Sequence, residues 1–401
     1  MIPSNLTTAP AYGTDITEEK VSQNDLKFMR TLERSIYQDN DKHKIMPLPF
    51  INRPTLPDNY PMALRRFKSQ QRKFRADPKY FEHYKMFMDG ILASRDAEQV
   101  PADQAAGKPG EVWYIPHLGV YHPKKPQKIG VVFDCSAKSH GTSPNDHLLQ
   151  GPDQMNGLVG FLCRFRNETV GIIGDIERMF HQFKVDSQNH DFLHFLWFDP
   201  AGNIVSHRMK VHLFGATSLP GCATLGLRRT ATDHTEISSV AAAFIKGDFY
   251  VDNGITSVAT AAPAIKLISD TREICTKGGL WLHKLMTNNR DVLAQIPASE
   301  RGSQAQELDL IKDALPSERT LGLRWNAEAE EFFFYPNSIS EKPMTRRGVL
   351  SMVSQVFYPW GLISPFVSIG RRLVQEIVQE QRSWDDVLDE SMVLQLGMVS
   401  T

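Results

Sequence analysis

Cysteine and long apolar runs are both scarce in this sequence. Its four cysteines, Cys135, Cys163, Cys222 and Cys275, lie far apart, and none belongs to a Cys-x-x-Cys pair. This pattern argues against a disulfide scaffold or a zinc ribbon and fits a reducing compartment. No apolar run approaches the length of a membrane span, and the polar start lacks the apolar segment of a signal peptide. We therefore expect a soluble cytoplasmic protein.

An excess of charge is absent as well. Lys plus Arg number 45 and Asp plus Glu number 46, so the net charge is −1 and any nucleic-acid surface must be local. The sequence has no Gly-x-Gly-x-x-Gly string and no P-loop, so a nucleotide must be held in another way. It also lacks the Asp-Thr/Ser-Gly triplet that a retropepsin-type protease centre needs. Its 401 residues predict two or three lobes.

A basic, aromatic-rich stretch with helical spacing runs from Met62 to Leu92. A shorter helix is predicted over residues 22–36 behind a serine cap, and five prolines between the two favour extended chain. Charge on a helix usually marks a solvated face. The alternative is a helix that follows a phosphate backbone with salt-dependent affinity. In that interpretation the nucleic-acid-binding residues are Arg65, Arg66, Lys68, Arg72 and Lys73.

The rest of the chain alternates predicted strands and helices. Strands are predicted over residues 112–115, 118–121, 129–133 and 170–173, with a hairpin of 192–198 and 204–211. Helices are predicted over residues 148–165, 223–235 and 263–276. Several hairpins interspersed with helices indicate an α+β fold rather than a doubly wound sheet.

Two carboxylates stand out within this pattern. Asp175 follows an apolar run, where it is either a helix N-cap or a functional group at the edge of a sheet. Asp252 and Asn253 precede Gly254 between apolar runs, which predicts the tip of a β-hairpin; an ordinary surface turn is the alternative. If the two strands are neighbours, Asp175 and Asp252 converge. Such a pair offers the oxygen ligands that Mg²⁺ prefers in phosphoryl transfer.

The sequence around both carboxylates resembles that of reverse transcriptases. Residues 175–185, Asp-Ile-Glu-Arg-Met-Phe-His-Gln-Phe-Lys-Val, resemble the first catalytic motif, and Tyr250-Val251-Asp252-Asn253 resembles the Tyr-x-Asp-Asp motif. Further strings, in order along nearly the whole chain, resemble the pol polyprotein of BEL/Pao-type long-terminal-repeat retrotransposons. They are Trp113-Tyr114-Ile115-Pro116-His117, Val131-Val132-Phe133-Asp134, Gly151-Pro152-Asp153, Leu227-Arg228-Arg229-Thr230-Ala231, Met344-Thr345-Arg346-Arg347-Gly348 and Pro359-Trp360-Gly361-Leu362.

The resemblance implies a right-hand polymerase fold of fingers, palm and thumb, with a mainly helical N-terminal extension, from a truncated copy. The implied divisions are a tail and helix (1–45), a helical basic extension (46–110), fingers and palm (111–340), a thumb (341–382) and the start of a connection region (383–401). No ribonuclease H centre is expected within them.

The resemblance also implies roles for individual residues. Asp175 and Asp252 are the expected metal ligands, and Asn253 and Lys284 complete the catalytic set. Lys284 stands where polymerases place a lysine that protonates pyrophosphate, although a solvated lysine is equally compatible with the pattern.

The implied substrate contacts lie on either side of this centre. Phe180, five residues after Asp175, corresponds to an aromatic gate against a 2′-hydroxyl, and a core aromatic is the alternative. Further expected nucleotide-binding residues are Lys128, Phe214 and Gly215, and the expected primer-gripping hairpin contains Leu321, Gly322 and Trp325.

Two positions depart from the family pattern. Asn253 replaces the second turn aspartate, and a neutral amide is a weaker ligand for a hard cation. Gly130 replaces an arginine that would hold the triphosphate. Two functions therefore stay open. One is an RNA-directed DNA polymerase that uses Mg²⁺, or Mn²⁺, dNTPs and a primed RNA or DNA template, in the cytoplasm, a virus-like particle or the nucleus. The other is a catalytically inactive nucleic-acid-binding remnant.

Overall fold

The computed structural model describes residues 22–104, 107–122, 125–165, 167–306, 308, 310, 313–320, 323–333, 343–355, 361–379 and 383–389. Its α-helices are α1 (Gln23–Ser35), α2 (Tyr60–Ala76), α3 (Pro78–Ala93), α4 (Leu158–Arg164), α5 (Met179–Gln182), α6 (Leu219–Asp233), α7 (Ser239–Gly247), α8 (Ala261–Lys277), α9 (Arg290–Gln295), α10 (Arg346–Val353) and α11 (Ser364–Gln379). Its strands are β1 (Tyr37–Gln38), β2 (Lys44–Met46), β3 (Ala97–Gln99), β4 (His117–His122), β5 (Lys125–Phe133), β6 (Val170–Ile176), β7 (Lys184–Val185), β8 (His194–Phe198), β9 (Ile204–Met209), β10 (Phe249–Tyr250), β11 (Asn253–Val258), β12 (Leu282–Thr287), β13 (Ser317–Thr320), β14 (Leu323–Asn326) and β15 (Glu331–Phe333).

The fold is a mixture of helices and small sheets, as the alternating pattern predicts. The predicted hairpin of 192–198 and 204–211 is present as β8 and β9, and the helices predicted near residues 223 and 263 are present as α6 and α8. Within the described ranges no helix is both long and apolar enough to cross a membrane.

Three predicted elements differ in the structure. The long helix predicted from Met62 to Leu92 is two helices, because the Asp77 side chain accepts a bond from the Tyr80 amide and Pro78 starts a new helix. The helix predicted over 148–165 is confined to α4. Residues 112–115 form no strand there and make a single bridge between Tyr114 and His194. The spacing of apolar residues, from which these elements were predicted, does not indicate where a helix or strand is interrupted.

A four-stranded antiparallel sheet in the order β10-β11-β6-β12, here called the central sheet, organises the first hydrophobic core. Its apolar side chains, such as Ile172 and Ile255, belong to that core, and the sheet contacts α7 and α8. A second core joins α2 and α3 to β4, β5, β8 and β9, around Tyr84, Phe195 and Trp197. The first core thus supports β6, which carries Asp175, and the β10–β11 hairpin, which carries Asp252.

The N-terminal segment is part of these cores. Phe28, Leu32 and Met46 are fully buried in the first core. Lys44 is 4% exposed and forms an ion pair of 2.6 Å with Asp233 of α6. The described part of the predicted N-terminal tail and helix, residues 22–45, therefore contributes to the first core. A third, small cluster joins α10 and α11 and contains Val349, Leu373, Ile377 and Leu388.

Candidate active site

Strand register places Asp175 at the centre of the site. It lies opposite Asn253 of β11 on one side and opposite His283 of β12 on the other. Asp175 is the penultimate residue of β6, so it neither follows the strand, as the sequence suggested, nor caps a helix. The buried strand holds its backbone between two neighbours, while its side chain stays 20% exposed.

The β10–β11 hairpin carries Asp252 beside this strand. Its tip is formed by Val251 and Asp252, one residue earlier than the predicted tip of Asp252 and Asn253, because Asn253 already belongs to β11. The Ile176 amide donates to the Asp252 carbonyl at 2.9 Å, which ties the tip to β6. Val251 has a φ of 59°, a strained conformation for a β-branched residue. Strain of this kind concentrates at functional sites.

Charge at the two carboxylates is only partly compensated. Burial raises the pKa of Asp252, and the negative charge of Asp175 raises it further, while Lys284 and a hydrogen bond from Asn253 lower it. That bond runs from Asn253 Nδ2 to Asp252 Oδ1 at 2.7 Å. The two carboxylates therefore lie close enough to repel each other, and a bound cation would relieve that repulsion.

Each carboxylate oxygen of Asp175 has one side chain of β12 as a neighbour. His283 Nε2 lies 2.8 Å from Oδ1, and Lys284 Nζ lies 3.2 Å from Oδ2. Lys284 has a φ of 51° where β12 shifts its register against β6. The sequence pattern singled out Lys284 but missed His283, because cross-strand register decides which side chain faces Asp175. The adjacent lysine is the only local signal for it.

The donor set suits a cation that is shared with phosphate. Among the described residues, no group of three or more His, Cys, Asp and Glu side chains is arranged to hold a metal ion by itself. Mg²⁺ is commonly bound by one or two carboxylates and completes its shell with water and substrate phosphates. Asp175 and Asp252 fit that requirement.

The residues expected beneath a nucleotide meet next to this sheet. The rings of Phe180 and Phe214 are 5.8 Å apart, and Phe214 is 62% exposed. Gly215 has a φ of 115°, and a Cβ there would lie 2.7 Å from the Phe133 carbonyl oxygen, so only glycine fits. Asn145 holds this loop by donating to the Gly215 carbonyl at 2.9 Å.

Lys128 occupies a different sheet from the carboxylates. It lies on β5 with its side chain exposed, two residues before the exposed Gly130. A Cβ at Gly130 would meet only the Val120 carbonyl oxygen, at 3.8 Å, so this position has room for a side chain.

The predicted primer-gripping residues divide into two groups. Leu321 and Gly322 lie outside the described residues. Trp325 is fully buried and packs edge-on against Phe165, with ring centroids 5.0 Å apart. Its ring also lies over Gly171 of β6, where a Cβ would be 3.2 Å away. A side chain without exposed surface does not reach nucleic acid, so Trp325 is a core residue that anchors β14 to the central sheet.

The predicted nucleic-acid-binding cations of α2 also divide. Arg66 Nη1 forms an ion pair of 3.0 Å with Asp134, and the Lys73 ammonium lies 3.9 Å from the centre of the Tyr80 ring. These two side chains attach the helix to its own protein. All five residues are exposed, and Arg65, Lys68 and Arg72 have no such partner among the described residues.

Comparison with known proteins finds one family match over a segment of the chain and one similarity to a solved structure. Residues 345–400 match a family described as the Pao retrotransposon-like RNaseH-like domain. The chain is also similar to a solved structure titled "Structure of the foamy viral protease-reverse transcriptase dRH in complex with ds DNA", with a TM-score of 0.52 and 14% sequence identity. The alignment covers 80% of this chain and 48% of that chain, so this chain spans about half the length of that structure. A search of curated proteins found no match.

The first likeness links residues 345–400 to a Pao retrotransposon-like family, and the second shows that the mixed α/β fold is similar to that of a foamy viral protease-reverse transcriptase. Residues 345–400 thus match a family described as RNaseH-like, in a chain for which no ribonuclease H centre is expected.

Proposed function

We propose that this chain is an RNA-directed DNA polymerase domain that extends a primer 3′-hydroxyl with dNTPs on an RNA or DNA template. The observation that carries the proposal is the pairing of Asn253 with Asp175 across β11 and β6. That register puts Asp252, the preceding residue, beside Asp175 on one edge of the central sheet. A carboxylate on β6 and a second one at the tip of the neighbouring hairpin meet the main requirement of two-metal nucleotidyl transfer.

The remaining residues have roles that suit this reaction. Asp175 and Asp252 would hold Mg²⁺, or Mn²⁺, which supplies Lewis-acid stabilisation of the phosphate when bound. Lys284, an ammonium 3.2 Å from Asp175, is the proton donor for the leaving pyrophosphate. Phe180 and Phe214 form the apolar floor under the nucleotide, with Phe180 as the gate against a 2′-hydroxyl.

Primer extension with purified protein tests this proposal. The expected result is template-dependent elongation with Mg²⁺ or Mn²⁺ that Asp175→Ala abolishes, because a two-metal site does not tolerate loss of a ligand. Asp199→Ala is a matched control, since Asp199 is a strand-end aspartate in the β8–β9 turn, bonded to Asn203 at 3.0 Å. Equal elongation by the Asp175→Ala variant and the unchanged protein would refute the proposal.

A catalytically inactive nucleic-acid-binding remnant is the second candidate, and Asn253 and Gly130 favour it. Both departures from the family pattern reduce charge at the substrate: one removes a carboxylate and the other a guanidinium. The double variant Asn253→Asp, Gly130→Arg separates the candidates, and the open space at Gly130 accommodates the arginine. Elongation by the double variant alone would establish a sound scaffold with a degraded centre. Elongation by the unchanged protein would exclude the remnant.

The likeness of residues 345–400 to an RNaseH-like domain calls for a separate assay. The described part of this segment contains α10 and α11, and we assign these helices to the thumb. Incubation with a labelled RNA–DNA hybrid is therefore expected to release no RNA fragments. Metal-dependent cleavage that persists in the Asp175→Ala variant would place a nuclease centre in the segment instead.

A further inference from the structure

Helix α2 carries charge of a single sign. Its 17 residues include six cations and no aspartate or glutamate. The adjacent α3 mixes both signs and contains an i,i+4 ion pair between Lys85 and Asp89. A solvated helix face normally carries the mixture seen in α3. In a protein with a net charge of −1, α2 is a marked local exception.

The structure separates these cations into two groups. The buried face of α2, with Phe67 and Phe74, packs into the second core. Arg66 and Lys73 are bound internally, by Asp134 and by the Tyr80 ring. The four cations that remain are exposed and are here called the basic row: Arg65, Lys68, Arg72 and Arg75.

The basic row follows one face of the helix. Its spacings of three, four and three residues place neighbours about 4.5–6 Å apart along the axis, and the whole row spans about 15 Å. With Gln71 it lines a shallow open groove. Within the described part of the chain no carboxylate pairs with any of the four. Like charges at these spacings repel and destabilise a helix, so folding alone does not account for the row.

We propose that the basic row binds the phosphodiester backbone of a nucleic-acid strand next to the candidate active site. A span of about 15 Å matches about four nucleotides at the 3.4 Å rise of a strand. The helix is also attached near the candidate nucleotide site. Arg66 forms an ion pair with Asp134. The preceding residue, Phe133, has its carbonyl oxygen close to Gly215. The row thus begins beside the loop that holds the proposed nucleotide pocket. The inference rests on the proposed function for its ligand class but does not require catalysis.

The test compares two variants of the full chain that lose the same charge. The basic-row variant is Arg65→Gln, Lys68→Gln, Arg72→Gln, Arg75→Gln. The paired control variant removes four exposed helical cations that each have an acidic partner four residues on, and it is Lys85→Gln, Arg229→Gln, Lys266→Gln, Arg372→Gln. Fluorescence anisotropy measures binding of a blunt duplex and of a single-stranded oligonucleotide at several salt concentrations.

The basic-row variant is expected to flatten the plot of log K against log salt. The slope should change by between 3 and 4 for a duplex and by about 3 for a single strand, since each neutralised phosphate contributes about 0.9 or 0.7. Whichever oligonucleotide shows the full change is the strand that the row contacts. The paired control should shift the slope much less. Equal slopes for the unchanged protein and the basic-row variant on both oligonucleotides would overturn the proposal.

Two further measurements keep the result specific. The melting temperature of the basic-row variant should be unchanged or higher, because the repulsion within the row is removed. Should it fall, the double variant Arg65→Gln, Arg75→Gln is used, with about half the slope change expected. Polyglutamate that binds as tightly as nucleic acid, with the same dependence on the row, would also overturn the proposal. A slope change that persists in the Asp175→Ala background would stand even if primer extension failed.

Discussion

Asp252 and Asn253 show how a neutral residue moderates a crowded anionic centre. Burial and the charge of Asp175 already raise the pKa of Asp252. The Asn253 amide donates to Asp252 at 2.7 Å, a contact that a second carboxylate would turn into repulsion. The asparagine therefore stabilises the fold without metal, and its neutral amide is a weaker ligand for a hard cation than a carboxylate.

Asn253→Asp is expected to lower the stability of the metal-free protein and to raise its affinity for a divalent cation. In chelator, a third carboxylate should lower the free energy of unfolding by about 1–3 kcal/mol, from like-charge repulsion in a partly buried site. In Mg²⁺ or Mn²⁺ the rise in melting temperature should exceed that of the unchanged protein. Thermal unfolding with and without divalent ions measures both effects.

The matched control is Asn203→Asp, because the Asn203 amide also donates to a neighbouring aspartate, Asp199, but in an exposed turn. It should show neither the loss in chelator nor the gain in metal. Metal-independent melting of the Asn253→Asp variant would contradict a cation site at this edge of the sheet.

At the level of elements, the three segments next to Asp175 each contain a residue with a strained backbone conformation. Arg178 follows β6, Val251 forms the hairpin tip and Lys284 sits in the β12 irregularity, and all three have positive φ. Such conformations persist only where surrounding structure imposes them. In this chain the surrounding structure is the first core, which fixes β6, β11 and β12.

The segment after β9 supplies a pH-dependent element. His212 is fully buried, and burial lowers its pKa to about 4. Between about pH 6.5 and 4 the unfolded chain binds a proton that the folded chain does not, so stability falls as the pH falls through that window. Above it the imidazole is neutral in both states and adds no pH dependence to stability.

His212→Leu is therefore expected to flatten the pH profile. The dependence of unfolding free energy on pH should decrease by about 1.4 kcal/mol per pH unit in that window, the effect of one proton. Denaturant unfolding at pH 7.5, 6 and 5 measures it. His140→Asn, at an exposed left-handed position where asparagine is tolerated, should leave the slope unchanged. An identical slope for His212→Leu would show that this histidine does not limit acid stability.

At the scale of the whole molecule, the hydrophobic clusters are separate. The third cluster gathers residues from α10 and α11 with Leu388, whereas α1 contributes Phe28 and Leu32 to the first core. The two end segments should therefore differ in how much they contribute to the stability of the rest of the protein.

Deletion of residues 343–401 should leave the melting temperature of the remainder within a few degrees, because that segment has its own apolar cluster. Deletion of residues 1–35, which removes Phe28 and Leu32, should unfold or strongly destabilise the protein. Thermal unfolding and limited proteolysis of both truncations measure this contrast. A large loss on removing residues 343–401 alone would show that the segment completes the first or second core.

The sequence by itself determined the local features of this protein: the α6 and α8 helices, the β8–β9 hairpin, and the two acidic motifs that carry Asp175 and Asp252. Periodicity, capping and turn chemistry depend on residues near in sequence, so they are legible without a structure. Only the tertiary structure decided that Asp175 lies between Asn253 and His283 and that Trp325 is buried. It also decided that Arg66 and Lys73 contact Asp134 and Tyr80, while the basic row has no such partner among the described residues. Strand register and burial arise between residues far apart in the chain, and no local pattern encodes which of them meet.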